Sequence, residues 1–456
     1  MKSSSLTVRT TAKAVIFLVL GIYLWVHITY VFRPETMENL NFKGFYAEEY
    51  DSLDVVFIGS SGLRASIDPM RIYNRTGIKS FVLATSQQNP LALTYLINEA
   101  KLRQPNALFV VDLGGCKYSE ETWDSANEGS IRHVTDGLQY SINYFTCVYD
   151  MVKKRTNKLL YYFDLLYYHD NWENDILVRE LKNPSWNYKK VDEKKGHALW
   201  TELKYQERIW DEESTKPRNY EWDTERINKT ISYCEKSDLK VVFMVSNENL
   251  TNYSDYIFLS EVVGDRYPLV YMNSYCDEIN LDYLNDFYDV GHLNLNGSLK
   301  ASDKMADILL NYISEIKSDK SGHWDIQYQE YLRDVEEGQT KLEEYKANYI
   351  NYNLKSDYEN NKICFWITTQ NTFDTEYAWY VEHIDNENTI VDKMDWYSKE
   401  PVHVFDTCEL KDGVNYQIRF FIRDVENTNK KEDKIVAYLN WNSDTGIWEY
   451  ISNFYY

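Results

Sequence analysis

The chain has 456 residues, more than one ordinary domain, so its length predicts two folded units and a tether. The formal net charge of −22 argues against nucleic acid or an anionic lipid surface as the main partner, because both select basic proteins. Its 40 Tyr and 13 Trp residues are typical both of packed β-sheets and of surfaces that stack on sugars.

The first predicted element is an apolar stretch from Ala14 to Phe32, long enough to cross a bilayer as a helix. Three cations precede it (Lys2, Arg9 and Lys13), which places the amino terminus in the cytoplasm. A cleaved signal peptide is the alternative, but no small-x-small cleavage site follows the stretch. We therefore expect residues 1–33 to be a cytoplasmic tip and retained anchor, with the bulk of this single-pass protein outside the cell.

Residues 50–317 alternate short apolar runs with segments of helical periodicity, after a polar lead that ends near Asp51. Strands are predicted at 54–58, 79–84, 107–112, 240–246 and 269–272, and helices at 70–77, 91–103, 222–236 and 299–316. Helices between strands require parallel pairing, so the predicted fold class is an α/β three-layer sandwich. Residues 118–220 interrupt this pattern and predict a helical insertion over the carboxyl edge of the sheet, where α/β proteins bind ligands.

The periodicity changes in the last quarter of the chain. Residues 318–348 are hydrophilic and helical in period, which predicts a helical linker. Beyond them the period becomes two, with strands predicted at 363–368, 377–382, 402–405, 416–422 and 435–441. Residues 349–456 are therefore predicted to form an all-β domain, a sandwich of immunoglobulin-like size.

Two separated motifs predict a serine nucleophile with its base. The turn Gly59-Ser60-Ser61-Gly62 follows the first strand, and of its two serines we favour Ser61 as the nucleophile. Asp289 and His292 stand three residues apart in a predicted loop, so the carboxylate can hold one imidazole nitrogen while the other faces the serine.

These motifs resemble the SGNH (GDSL-type) hydrolase family, whose first block is Gly-Asp-Ser and whose last block is Asp-x-x-His. The last block matches at Asp289 and His292, and the first maps its catalytic serine onto Ser61, with Ser60 in place of aspartate. The anchor, Asp68-Pro69 and Ser86-Gln-Gln88 resemble more narrowly the membrane-anchored DltD-like proteins of Gram-positive bacteria. The resemblance covers roughly residues 50–316, and it implies a flavodoxin-like fold, a bacterial cell membrane and ester chemistry.

The chain departs from the family where the oxyanion hole is formed. The family supplies a glycine in its second block and an asparagine in its third, whereas this chain has Ala84-Thr-Ser86-Gln-Gln88 and Asp112-Leu-Gly114-Gly115. The candidate oxyanion or substrate-binding groups are Ser86, Gln88 and Gly114, together with the backbone N–H of Ser61.

No cofactor or metal is expected, because the six cysteines form no CxxC motif and no paired His spacing. Cys364 and Cys408 can form a disulfide in an extracytoplasmic domain, and buried free thiols are the alternative.

Two functional hypotheses follow. The first is an extracytoplasmic serine esterase or O-acyltransferase that acts on a cell-envelope polysaccharide or teichoic-acid-like polymer. The second is a catalytically degraded SGNH-fold protein that binds glycan or scaffolds a polymer-assembly complex. Under either hypothesis, the expected partners of the protein are a cell-envelope polysaccharide or acylated polymer, the membrane, and membrane proteins of polymer biosynthesis. No nucleic acid is expected as a partner. The sequence does not decide whether the acyl group passes to water, as in hydrolysis, or to another hydroxyl, as in acyl transfer.

Overall fold

The structure is a computed structural model that divides the chain into two compact units, Met1–Lys341 and Leu342–Tyr456. It describes residues 2–440 except for short segments, which are 118–127, 174–175, 183, 205–220, 248–252, 320–321, 351, 360–361, 370, 372, 384–389, 394–395, 407–409 and 412.

A five-stranded parallel sheet forms the centre of the first unit. Its strands are β1 (Val55–Gly59), β2 (Ser80–Ala84), β3 (Leu108–Asp112), β4 (Val241–Val245) and β5 (Leu269–Tyr271). They are ordered β2-β1-β3-β4-β5, and every pairing is parallel. The sequence prediction of parallel strands joined by helices is confirmed.

Both faces of this sheet are buried, because alternate residues of each strand enter different cores. Val56 and Ile58 of β1 belong to one core, and Val55 and Phe57 to the other. The helices of the amino-terminal half are α1 (Lys2–Phe32), α2 (Met37–Ala47), α3 (Ser61–Ser66), α4 (Pro69–Thr76) and α5 (Leu93–Arg103). A mixed α/β fold with helices on both faces is the result.

The prediction of a polar lead before β1 is wrong in one respect, because this segment contains the helix α2. Thr36 caps this helix by accepting a hydrogen bond from the Asn39 N–H group. Its polar residues are buried with partners: Asn41 donates to the Val82 carbonyl of β2 at 2.8 Å, and Lys43 donates to Ser185 at 2.9 Å. Tertiary hydrogen bonds thus satisfy buried polar side chains of α2, while its aromatic side chains lie in the core.

Several short helices lie within the predicted insertion. They are α6 (Glu128–Thr135), α7 (Ile142–Met151), α8 (Leu159–Tyr162), α9 (Asp164–Tyr168), a 3-10 helix (His169–Glu173) and α10 (Ile176–Lys182). The helices α11 (Glu221–Lys236), α12 (Tyr253–Val263) and α13 (Leu295–Leu309) complete the α/β pattern. The predicted start of the last helix is wrong, because the helix begins four residues earlier, at Leu295. Asn294 caps it by accepting from the N–H groups of Asn296 and Gly297.

The carboxyl-terminal end of α1 packs within the first unit. Thr10–Phe32 is long and apolar enough to cross a membrane, and its most apolar 18-residue window has a mean hydropathy of 2.2. Arg33, directly after it, is fully buried and donates from Nε and Nη2 to Asp164 of α9 at 2.9 and 2.5 Å. The rings of Tyr30 and Tyr188 lie 5.4 and 5.3 Å from its guanidinium carbon. A buried ion pair therefore fastens the apolar helix to the α/β unit.

The helix α14 (His323–Asn348) leads into the second unit, whose strands pair antiparallel. They are β8 (Tyr352–Glu359), β9 (Lys362–Thr369), β10 (Thr375–His383), β11 (Ile390–Lys393), β12 (Val402–Asp406), β13 (Asn415–Asp424) and β14 (Lys431–Asn440). They form a four-stranded sheet, β11-β10-β13-β14, and a three-stranded sheet, β12-β9-β8. The prediction of a β-rich region is confirmed, and β8 and β11 were not predicted.

Candidate active site

The turn after β1 presents the predicted nucleophile at the carboxyl edge of the sheet. Ser60 is extended and makes no side-chain capping bond, and α3 begins at Ser61. The first hydrogen bond of α3 runs from the Arg64 N–H group to the Ser60 carbonyl, at 3.2 Å. The Ser61 N–H group lies before this first bond and therefore takes no part in the hydrogen bonds of the helix. Half-buried Ser61 stands where a strand ends and a helix starts.

Gly59 is required at the end of β1 because another side chain occupies the space beside it. A Cβ atom at this position would lie 2.6 Å from Asp112 Cβ and 2.7 Å from Leu63 Cδ2. Asp112 is fixed there by the Gly114 and Ser246 N–H groups, which donate to its Oδ1 at 3.1 and 3.2 Å. The close approach of β1 and β3 thus depends on a residue without a side chain.

The predicted base and its predicted orienting carboxylate lie on a short antiparallel pair, β6 (Phe287–Asp289) and β7 (His292–Leu293), rather than in the predicted loop. Asp289 is paired across this turn with His292. Its Oδ1 accepts from the Gly291 N–H group at 2.8 Å and lies 2.7 Å from His292 Nδ1. The hairpin therefore fixes the carboxylate and the imidazole together.

The predicted nucleophile and base are in direct contact. His292 Nε2 lies 2.8 Å from Ser61 Oγ. In the tautomer with its proton on Nδ1, His292 donates to Asp289 and accepts from the Ser61 hydroxyl through Nε2. The structure thus brings Ser61, His292 and Asp289 into one chain of hydrogen bonds, all three side chains being half-buried. Serine, base and orienter in this order are the arrangement that activates a serine hydroxyl.

Two aromatic residues beside His292 were missed from the sequence. Tyr288 precedes Asp289 on β6, and its ring stacks on Trp200 at 4.4 Å between centroids. The His292 ring lies 6.4 Å from Trp200 and 6.5 Å from Tyr288. The Trp200 carbonyl accepts from the Leu295 N–H group at 2.8 Å, which fixes the segment at the start of α13. The aromatic character of Tyr288, next to the Asp-x-x-His motif, was the available signal.

The predicted residues Ser86, Gln88 and Gly114 all follow the strands that flank β1. Ser86 donates from Oγ to Glu38 Oε1 at 2.6 Å. The Gly114 N–H group donates to Asp112, so its donor is occupied within the loop itself. Gln88 is buried, and its Oε1 is among the described buried atoms without a hydrogen-bond partner.

Glu38 of α2 is a buried acid at this edge that the sequence did not indicate. Burial raises the pKa of its carboxyl, but the Ser86 hydrogen bond and the nearby His133 and Arg64 outweigh that effect, so the net pKa is lowered. His133 Nδ1 lies 3.0 Å from the Ser86 carbonyl, and Arg64 Nη1 lies 4.0 Å from Glu38 Oε1. The loop that carries Ser86 is thus held from two sides.

A cavity of about 490 Å³ lies beside α3, the helix that begins at Ser61. Its lining includes Arg64 of α3 and Trp200, the neighbour of His292. It also includes His197, a buried residue whose pKa is lowered by burial. The cavity therefore has both aromatic and charged walls, and Trp200 is the residue that it shares with the surroundings of His292.

Within the described residues, no group of three His, Cys, Asp or Glu side chains could hold a metal ion. Four cysteines are buried, namely Cys116, Cys147, Cys234 and Cys276. The predicted Cys364–Cys408 disulfide involves Cys408, which lies outside the described residues.

The chain was compared with models of protein families and with curated proteins, and it matches none of them.

Proposed function

We propose that the protein is a serine esterase or O-acyltransferase of the SGNH type. The observation that carries this proposal is the contact of Ser61 Oγ with His292 Nε2, combined with the contact of His292 Nδ1 with Asp289 Oδ1. A serine hydroxyl is a weak nucleophile unless a base takes its proton, and this arrangement provides both the base and the carboxylate that orients it.

The geometry supports a two-step reaction. In the first step Ser61 Oγ bonds to the carbonyl carbon of an ester while its proton passes to His292 Nε2. The tetrahedral intermediate then collapses, the bond to the leaving alcohol breaks, and His292 returns the proton to that oxygen. In the second step His292 takes a proton from water or from an acceptor hydroxyl while that oxygen bonds to the acyl carbon. The bond between this carbon and Ser61 Oγ then breaks, and His292 returns the proton to Oγ. Asp289 stabilises the imidazolium in both steps.

The fold supports the same assignment. The strand order β2-β1-β3-β4-β5 is the order of flavodoxin-like sheets, in which ligands bind outside the carboxyl ends of the strands. Ser61 follows β1 at that edge, and Ser86 and Gly114 follow the two neighbouring strands. We also interpret the second unit as an immunoglobulin-like sandwich, supported by its two antiparallel sheets and a core around the buried Trp379.

The developing oxyanion needs N–H donors. Since the Gly114 N–H group donates to Asp112, we assign this role to the backbone N–H of Ser61, aided by the Ser86 N–H group or the Gln88 amide. Ser61 N–H precedes the first bond of α3, and Gln88 is a buried amide at the same edge of the sheet.

The proposed substrate is an acylated polysaccharide or teichoic-acid-like polymer of the cell envelope. The apolar helix Thr10–Phe32 supports a single-pass anchor, and the cations before it support a cytoplasmic amino terminus with both units outside. The stacked Trp200 and Tyr288 beside His292 suit contact with sugar rings. The charge of −22 favours a neutral polysaccharide over the second alternative, because a teichoic-acid-like polymer is a polyanion.

A catalytically degraded, glycan-binding or scaffolding protein is the second candidate. One observation favours it, namely that the predicted donor Gly114 N–H is already bonded to Asp112. Membrane proteins that synthesise the polymer would be the partners in this case.

Ester content of the envelope polymer tests the proposal. Cells that carry the wild-type chain or Ser61→Ala are compared by releasing ester-linked acyl groups with mild alkali. An esterase predicts more acyl groups in the variant, and a transferase predicts fewer. Equal acyl content at equal protein levels would contradict both and favour the scaffold.

A further inference from the structure

We propose that α8, α9 and α10 form a membrane-embedded surface that enters the leaflet facing the α/β unit. The inference takes α1 as a membrane span and does not depend on the serine chemistry.

The apolar stretch of α1 is only just long enough to cross the bilayer, so the contacts made by its last turns lie below the membrane surface. Between the flanking cations Lys13 and Arg33 lie roughly 19 residues, about 28 Å of helix, which is close to the thickness of the hydrocarbon core. The whole stretch is therefore needed to cross the bilayer. Trp25 then lies about 10 Å before Phe32 along the helix axis, within one leaflet.

Other parts of the α/β unit touch α1 at this depth. Trp25 meets Phe163, between α8 and α9, at 6.2 Å between ring centroids. Trp186 stacks on His27 at 4.8 Å and donates from Nε1 to the Tyr23 hydroxyl at 3.3 Å. These rings cannot remain in water while their α1 partners lie in the leaflet, so they must enter it as well. Trp and Tyr are the residues that favour this interfacial zone.

The exposed side of the three short helices is apolar. This surface, which we call the apolar patch, consists of Leu159, Phe163, Leu166, Val178 and Leu181. Leu181 is 80% exposed and Leu159 is 68% exposed. Exposure of this apolar surface to water costs free energy, and a lipid phase would remove that cost. The α9 and α10 helices pack against α1, so the patch is continuous with the apolar exterior of the span.

Three of the four charged side chains of these helices are withdrawn from the patch, and the fourth, Lys182, is exposed at the end of α10, where its long side chain can extend to the lipid headgroups. Asp164 is fully buried on Arg33, and Arg179 pairs with Glu180 at 3.3 Å while both remain largely buried. Without such pairing, charges would oppose insertion.

The segment just before α8 has the charge that a lipid surface selects. It contains Lys153, Lys154, Arg155 and Lys158, a local cluster of cations in a chain whose overall charge of −22 argues against an anionic lipid surface as the main partner of the whole protein. Cations beside an apolar face are typical of proteins that lie in the membrane interface, because they contact anionic headgroups while the apolar side chains insert. We therefore assign the patch to lipid rather than to a protein partner.

Site-directed fluorescence in the full chain tests this inference. Leu159→Cys and Leu181→Cys are labelled with an environment-sensitive fluorophore and reconstituted in phosphatidylcholine–phosphatidylglycerol vesicles, with the parent chain labelled in parallel as background. Leu310→Cys is the matched control, an exposed leucine (53%) at the end of α13, and Leu20→Cys reports on the span itself.

Lipids brominated on their acyl chains should quench positions 159 and 181 by about twofold or more relative to position 310, because interfacial helices bury their apolar face ~5–10 Å deep. Quenching at 20 with none at 159 and 181 would overturn the patch and leave the anchor intact. Absence of quenching at all four positions would overturn both. Since the vesicles contain only this chain, a protein partner cannot produce the expected result.

Discussion

His292 Nε2 lies 2.8 Å from Ser61 Oγ, although the two residues are 231 positions apart in the chain. The contact is made because β1 ends in a turn that starts α3, while the β6–β7 hairpin directs His292 back to the same edge of the sheet. Activity should therefore depend on each part of this chain of hydrogen bonds.

Asp289→Asn should lower kcat by about 10⁴-fold, because the amide no longer accepts the His292 Nδ1 proton and favours the wrong tautomer. Ester hydrolysis by the purified full chain is the measurement. Asp265→Asn, an exposed acid in a 3-10 helix, is the matched control and should leave kcat unchanged. A variant at 289 as active as this control would show that Asp289 does not orient the base.

Gly59→Ala should destabilise the first unit by about 1–3 kcal/mol, because the new methyl group would lie 2.6 Å from Asp112 Cβ. Thermal unfolding in detergent measures this. In contrast, Gly21→Ala adds a methyl group that meets nothing within 4 Å, and it should leave the unfolding temperature unchanged. Equal behaviour of the two variants would contradict the tight packing of β1 on β3.

Arg33→Ala should destabilise the first unit by about 3–5 kcal/mol, because Asp164 would remain buried without its partner. Exposed Arg75, which pairs with Asp307 at 2.8 Å, provides the control, and its replacement by alanine should cost at most about 1 kcal/mol. The double variant Arg33→Met/Asp164→Leu should recover part of the loss. If Arg33→Ala unfolds at the wild-type temperature, the ion pair does not fasten α1.

Glu38 should contribute to the pH dependence of stability. Its pKa in the folded chain is below the ordinary 4.5, so its stabilising contribution is present above pH 4.5 and is lost as the pH falls through the lower folded pKa. Glu38→Gln should therefore lose less stability than the wild type over that acidic range. Melting curves across it check the prediction, with exposed Glu261→Gln expected to follow the wild type.

The parallel sheet could be predicted because its strands are apolar runs buried on both faces, as Val55–Gly59 shows. The grouping of Ser61, His292 and Asp289 could be predicted because a serine after the first strand and an Asp-x-x-His motif before the last helix form a chemical pattern. By contrast, α2 could not, since Asn41 and Lys43 are polar in the sequence and gain partners only through the fold. The hairpin β6–β7 was missed because strands of two or three residues carry no periodicity.

Contacts between distant segments explain the other omissions. Glu38 reaches Ser86 across 48 positions, and Trp200 reaches Tyr288 from the segment after the insertion helices. Neither Glu38 nor Trp200 belongs to a sequence motif, so only the tertiary structure shows that these two residues lie near the site.

Covalent labelling of the serine turn tests the central claim most directly. The full chain, Ser60→Ala and Ser61→Ala are treated with a serine-directed fluorophosphonate, and the modified residue is identified by peptide mass spectrometry. We expect label on Ser61 in the wild type and in Ser60→Ala, since the Ser60 side chain makes no capping bond, and at least about 10³-fold slower labelling in Ser61→Ala. Labelling of Ser60 instead, or none in the wild type, would contradict the account.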